Sequence, residues 1–259
     1  MRARGLLLAA AAAGALAAPF WAPPLLREVD WFAARRVEVT GARLVAPHEV
    51  LEASGVRIGD NVWSDASGWE AALLRHPVIA EARVTRRLPA TLRIRVVEET
   101  PVALVQAGTL RPANGRGQVL PVDPARAQVD LPLLRAPAAL DARGRLAAAP
   151  ARAALAEGAR LAALDPALMA RVSELRPAAG GVELALAGAD VLLRAGAGEP
   201  ALARLRLALD DVERRAAADT TFRGRPVLDA RFDDQVVVRR RGAPRTDALT
   251  HSRTAVPTH

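Results

Sequence analysis

From Arg35 onward the chain alternates between two spacings of apolar positions, and the switches between them mark out short elements. "RRVEVTG" sets Val37 and Val39 against Glu38 and Thr40, and this two-residue period predicts a strand that Gly41 ends. "APHEVLEASG" predicts a short helix, with Pro47 at its first position and Gly55 just past its end. "VRIGDNV" reads as loop. "SGWEAALLRHP" predicts a second helix: Ser67 with Glu70 three residues on has the form of a capping box, Trp69, Ala72 and Leu73 form an apolar side, and Pro77 stops it. In "VIAEARVT", Ala80, Ala82 and Val84 alternate with Glu81, Arg83 and Thr85; in "TLRIRVVE", Leu92, Ile94 and Val96 alternate with Thr91, Arg93 and Arg95. Each predicts a strand with one wet face, and Pro89 between them suits a hairpin connection. The order is β-α-α-β-β, with helices on one face of a small sheet.

The pattern changes past Pro101. "VALVQAGTLRPANGRGQVLPVD" has short apolar runs broken by the turn signal "NGRG". "PARAALAEGARLAAL" predicts a helix, and "GGVELALAGADVLLRAG" two short strands around Gly188. "GEPALARLRLALDDVERRAAA" predicts a helix opened by Pro200, with Leu202, Leu205, Leu209 and Val212 along one side. "RPVLDARFDDQVVVRRRG" predicts a final pair of strands turning near Asp233–Asp234. From Gly242 to His259 the residues are small and polar, and a disordered tail is expected there.

The N-terminus has no such periodicity. Arg2 and Arg4 precede an uncharged stretch from Gly5 to Leu26, whose 22 residues are enough to cross a hydrocarbon core of about 30 Å as a helix. Positive charge before it, with Glu28 and Asp30 after it, orients residues 1–4 to the cytoplasm and the bulk outside. Phe20 and Trp21 suit the membrane interface. The competing reading is a cleaved signal peptide with an A-x-A site at Ala15–Ala17, and Pro19, Pro23 and Pro24 weaken the second half of the stretch as a helix. The reading adopted is a single-pass type II anchor at residues 5–26, which in a Gram-negative cell means inner membrane and periplasm.

Composition alters this picture little. The net charge of +8 invites a nucleic-acid partner, yet every basic residue is Arg and none is Lys. A GC-rich genome explains that bias, so no nucleic acid is expected. There is no cysteine, hence no disulfide and no thiolate chemistry. His48, His76, His251 and His259 are scattered without metal-ligand spacing. No nucleophile elbow, Walker A loop or dinucleotide fingerprint is present. "RAGAGEP" could cradle an anion, but a glycine loop feeding a proline-started helix accounts for it. Asp210–Asp211 and Asp233–Asp234 read as a solvated helix face and a turn. Neither an enzyme nor a cofactor is expected. Arg83, Arg86, Arg93 and Arg95 are read as one basic sheet face, either solvated or a docking surface.

The stretches "RRVEVTG", "GDN", "HPVIAEARVTRRLPATLRIRV" and "EETPVA" together resemble the FtsQ-type POTRA domain of the FtsQ/DivIB family of cell division proteins. "GADVLLRAGAGEPALARLRLAL" and "VLDARFDDQVVVR" resemble that family's second, β domain. The resemblance implies an α+β protein: a short cytoplasmic N-terminus (1–4), a transmembrane helix (5–26), a POTRA domain (32–104), a β-rich domain with helices (105–241) and a tail (242–259). It also implies a non-catalytic divisome scaffold at the septum, linking early and late division proteins. Such a scaffold binds the small coiled-coil proteins FtsB and FtsL and controls septal peptidoglycan synthesis. Other divisome membrane proteins would meet the POTRA domain and the membrane helix. By the same resemblance the FtsB site maps onto Phe232, Val236, Val237, Val238 and Arg239. A terminal strand with unpaired N–H and C=O groups suits a partner strand on physical grounds as well. The alternative is a POTRA-containing envelope protein that chaperones β-strands in outer-membrane or secretion assembly.

Overall fold

The computed structural model describes residues 26–128, 130–218 and 225–240. The expected cytoplasmic segment, nearly all of the expected membrane helix and the expected tail lie outside the described residues. Among the described residues no helix is long and apolar enough to cross a membrane. The described residues form two compact units: one runs to Leu131 and includes Ala138–Ala148, the other comprises Pro132–Pro137 and everything from Ala149.

The first unit is built in the predicted order. Strand β1 (Arg36–Thr40), helix α1 (Pro47–Ser54), helix α2 (Ser67–Leu73), strand β2 (Ile79–Arg87) and strand β3 (Thr91–Glu98) follow one another. The sheet order is β1-β3-β2, with β1 parallel and β2 antiparallel to the central β3. Val50 and Leu73 from the helices meet Val84, Leu92, Ile94 and Val96 from the sheet in one buried cluster. Each such side chain stabilises the fold by roughly 2 kcal/mol, so the alternating positions read from sequence are the ones that hold this unit together.

Three local devices shape the loops. Gly41 sits at φ +90°, and a Cβ there would lie 2.0 Å from the carbonyl oxygen of Val96, so only glycine can end β1 this close to β3. The Glu98 carboxylate accepts the N–H groups of Arg43, Leu44 and Val45 at 2.8–3.1 Å, holding the loop into α1. Asn61, the last residue of "GDN", donates to the carbonyls of Leu26, Arg27 and Val29 at 2.9–3.2 Å and accepts from Trp63 N at 2.9 Å.

The capping box expected at Ser67 and Glu70 does not form. Ser67 lies inside α2 and donates to Asp65 through both its N–H and its hydroxyl, at 3.0 and 2.6 Å. Those bonds hold the Asp65 carboxyl below the usual aspartate range, the side-chain bond first. Glu70 instead reaches β2 and accepts the N–H of Val84 at 2.8 Å.

Strands β4 (Pro101–Ala107) and β5 (Thr109–Asn114) form an antiparallel hairpin of the first unit, turning at Gly108. Helix α3 (Pro124–Ala127) is a single turn after it, capped by Asp123.

The second unit contains strand β6 (Leu133–Leu134), helices α4 (Ala149–Leu164) and α5 (Pro166–Met169), then strands β7 (Val172–Ala178), β8 (Gly181–Leu186) and β9 (Asp190–Arg194). Helix α6 (Glu199–Ala218) and strands β10 (Pro226–Ala230) and β11 (Val237–Arg240) complete it. Its strands run in the order β11-β10-β9-β8-β7-β6. Helix α4 packs on β7 and β8, and α6 packs on β10, burying the predicted Leu202, Leu205, Leu209 and Val212. Strand β7 has no counterpart in the sequence reading, and neither has β6.

Candidate interaction surfaces

The last hairpin turns where the sequence places its turn. Strand β11 pairs antiparallel with β10, Val237 opposite Asp229 and Val238 opposite Leu228, and β10 pairs parallel with β9. Strand β11 is the terminal strand of its sheet, so one side of its backbone has no strand beside it among the described residues. Side chains in register share a face. Leu134, Leu175, Leu184, Val191, Leu228 and Val238 therefore form one apolar row across six strands. The first five are buried, and Val238, the last, is 48% exposed.

The opposite face of this hairpin is ionic. Asp229 is fully buried on β10, and its Oδ2 accepts from Arg231 at 2.7 Å and from Arg239 of β11 at 2.8 Å. These bonds, that from Arg231 foremost, hold the Asp229 carboxyl below the usual aspartate range. A second buried carboxylate, Asp190 on β9, accepts from Arg225 at 2.9 Å. The bend after β10 is tied down by an ion pair of 2.7 Å between Asp233 and Arg194.

Of the residues assigned to this edge, Val237, Val238 and Arg239 lie on β11 and Val236 immediately precedes it. Phe232 lies in the connection, 42% exposed, rather than on the strand. Arg239 has its guanidinium on Asp229. Sequence reasoning passed over Asp229, although a carboxylate within "VLDAR", with arginines two and ten residues on, was a signal for a buried ion cluster.

The basic face of the first unit needs a correction. The register sets Arg83 opposite Arg95, Thr85 opposite Arg93 and Arg87 opposite Thr91, all on the face away from the buried cluster. Arg86 is opposite the buried Leu92 and belongs to the other face. It donates to the carbonyls of Val62 and Ser64 at 2.6 and 3.2 Å and lies 5.4 Å from the ring centroid of Trp63. Strand parity alone separates Arg86 from Arg83 and puts Arg87 in its place. On the exposed face Arg93 donates to Glu38 at 3.0 Å, with Arg87 3.8 Å from the same carboxylate, and Arg83 stands 3.9 Å from Glu70. Arg95 has no ion pair among the described residues.

The glycine loop before α6 is already occupied: Gly196 N donates to the buried Glu157 at 3.2 Å. Among the described residues no group of three His, Asp or Glu side chains is placed to hold a metal ion.

Comparison with known proteins gives a consistent result. The family description "POTRA domain, FtsQ-type" matches residues 32–99. A cell division protein FtsQ from Rhodothermus marinus is 34% identical over 229 residues, 82% of this chain and 79% of that protein. One from Myxococcus fulvus is 32% identical over 202 residues, 71% of this chain and 68% of that protein. One from Anaeromyxobacter sp. is 35% identical over 137 residues, a match that spans 51% of this chain and about half (47%) of that protein.

Proposed function

The chain belongs to the FtsQ family of cell division proteins, and from that premise we propose that it is a non-enzymatic, single-pass membrane scaffold of the divisome that captures FtsB and FtsL at strand β11. The observation that carries this reading is the apolar row that runs off the sheet at Val238. A strand added beside β11 would cover that row and pair the open backbone edge, which is how extended segments bind sheets. Arg239, fastened to Asp229, holds β11 in register with β10 while the outer side stays open. The bulk of the chain would stand in the periplasm, and capture of FtsB and FtsL would regulate septal peptidoglycan synthesis. The matches to cell division proteins give the strand-chaperone alternative no support.

The test is co-purification of the full chain, in mild detergent, with the FtsB-type and FtsL-type proteins of the same cell. Val237→Pro removes an N–H and distorts β11. It is expected to abolish capture, and full capture by a variant with an unchanged melting curve would overturn the proposal.

A further inference from the structure

Another feature of the first unit has no part in the strand-edge reading and stands without it. A cleft of 680 Å3 is walled by the turn before β2, the 114–118 turn and the 143–145 turn. Four guanidiniums, those of Arg75, Arg116, Arg143 and Arg145, line it together with a single carboxylate, Glu99. Glu99 is taken up by Arg116 and by Asn114, whose amide donates at 2.9 Å. The Arg143 backbone N–H donates to Asp141 at 2.8 Å, while neither the Arg75 nor the Arg143 guanidinium is in an ion pair among the described residues. Arg145 reaches the carbonyl of Arg116 at 3.4 Å through one terminal nitrogen, while its Nε is buried without an acceptor. The cleft therefore holds an excess of fixed positive charge.

The cleft adjoins a second depression of 280 Å3, and Leu74 and Ala80 line both. Ala80 is the residue skipped where the β2–β3 register shifts between Ile79 and Glu81. The second depression leads to Arg83 and Arg95, with Glu81 as its one acid. Arg83 and Arg95 are directly opposite each other in the ladder, an arrangement that repels. Glu70, 3.9 Å from Arg83, offsets part of this, and a carboxylate beside Arg95, which has no ion pair among the described residues, would relieve the rest. Leu74 at the junction is 51% exposed and Val97 beyond it 48% exposed.

We propose that this paired groove binds an extended acidic peptide segment of a partner protein, with carboxylates on the arginines at both ends and an apolar side chain on Leu74 between them. Guanidinium groups match planar carboxylates with two parallel hydrogen bonds. A small inorganic anion satisfies one end only and leaves Leu74 and Val97 unused. A chain with alternating acidic and apolar side chains uses all three regions at once.

The experiment titrates a fluorescein-labelled Asp-Glu-Leu-Glu-Asp peptide onto the full chain in mild detergent, read by fluorescence anisotropy. Arg143→Glu, at the cleft, and Arg95→Glu, in the second depression, are each expected to weaken binding by roughly tenfold with melting curves like that of the wild type. Inorganic phosphate at equal charge concentration is expected not to displace the peptide. Where Arg143→Glu fails to fold, Arg143→Gln replaces it, with a smaller loss in the same direction. No binding to the wild type, binding indifferent to both reversals, loss confined to the cleft end, or displacement by phosphate would each overturn the proposal.

Discussion

Strands β2 and β11 are both sheet edges, and the chain treats them in opposite ways. At β2 the outward N–H of Val84 is accepted by Glu70 from helix α2. The register also shifts at Ala80, so the strand presents no long regular row to a neighbour. At β11 no residue of the described chain plays the part of Glu70. The polar investment there points the other way: Arg239 and Arg231 grip the buried Asp229 and hold the strand against β10. One edge is closed by its own unit, and the other is held rigid and left open. The two carboxylates act in opposite directions: Glu70 answers an outward N–H of its edge, and Asp229 ties its edge strand inward to β10.

The comparison breaks most visibly at Asp229. Asp229→Ala leaves two arginines without their buried acceptor, and a loss of about 3 kcal/mol is expected, the low end for breaking a buried ion pair because both partners are partly exposed. Urea unfolding would measure it, and faster amide exchange on β11 would place it there. Acid acts on the same group. Its carboxyl titrates below the ordinary aspartate range in the folded protein, so its stabilisation is fully present above about pH 4 and is lost as pH falls through the lowered folded value. Asp229→Asn is expected to flatten that part of the acid-unfolding profile.

Glu70→Ala opens the blunted edge. Loss of one hydrogen bond to a backbone N–H is expected to cost about 1 kcal/mol and to produce concentration-dependent self-association in sedimentation velocity. Val238→Asp has the smallest expected effect on stability, within about 0.5 kcal/mol because the side chain is half exposed. It is nevertheless expected to abolish capture of the FtsB-type partner in co-purification. If the Val238 variant retains capture while Glu70→Ala impairs it, the roles of the two edges are reversed.

The legible parts of the fold were those where spacing repeats without interruption. Leu92, Ile94 and Val96 alternate cleanly and are buried; Leu202, Leu205, Leu209 and Val212 keep helical spacing and line one side of α6. Strand β7 was not legible because its register slips between Val172 and Glu174 and Pro177 interrupts it, so no two-residue period survives. The capping box failed because Asp65 competes for Ser67, while β2 offers Glu70 a backbone donor that no local pattern reveals. Within the candidate edge, Val237 and Val238 came from the family resemblance, since the run Val236–Val238 has no alternation to read, and the row ending at Val238 joins residues from six strands and exists only in three dimensions. Arg86 was misplaced for a simpler reason: it is one residue out of phase with Arg83.

The Asn61 side chain has a mechanical consequence. Three carbonyls of the entering chain, at Leu26, Arg27 and Val29, hang on one amide group, and the neighbouring Asp60 carbonyl accepts from Ala34 N at 2.8 Å, just before β1. The chain therefore enters without a swivel. A pull or twist applied at Leu26 is borne by the 57–61 loop and passed directly into the sheet, so the 26–29 stretch moves with the first unit instead of swinging free of it.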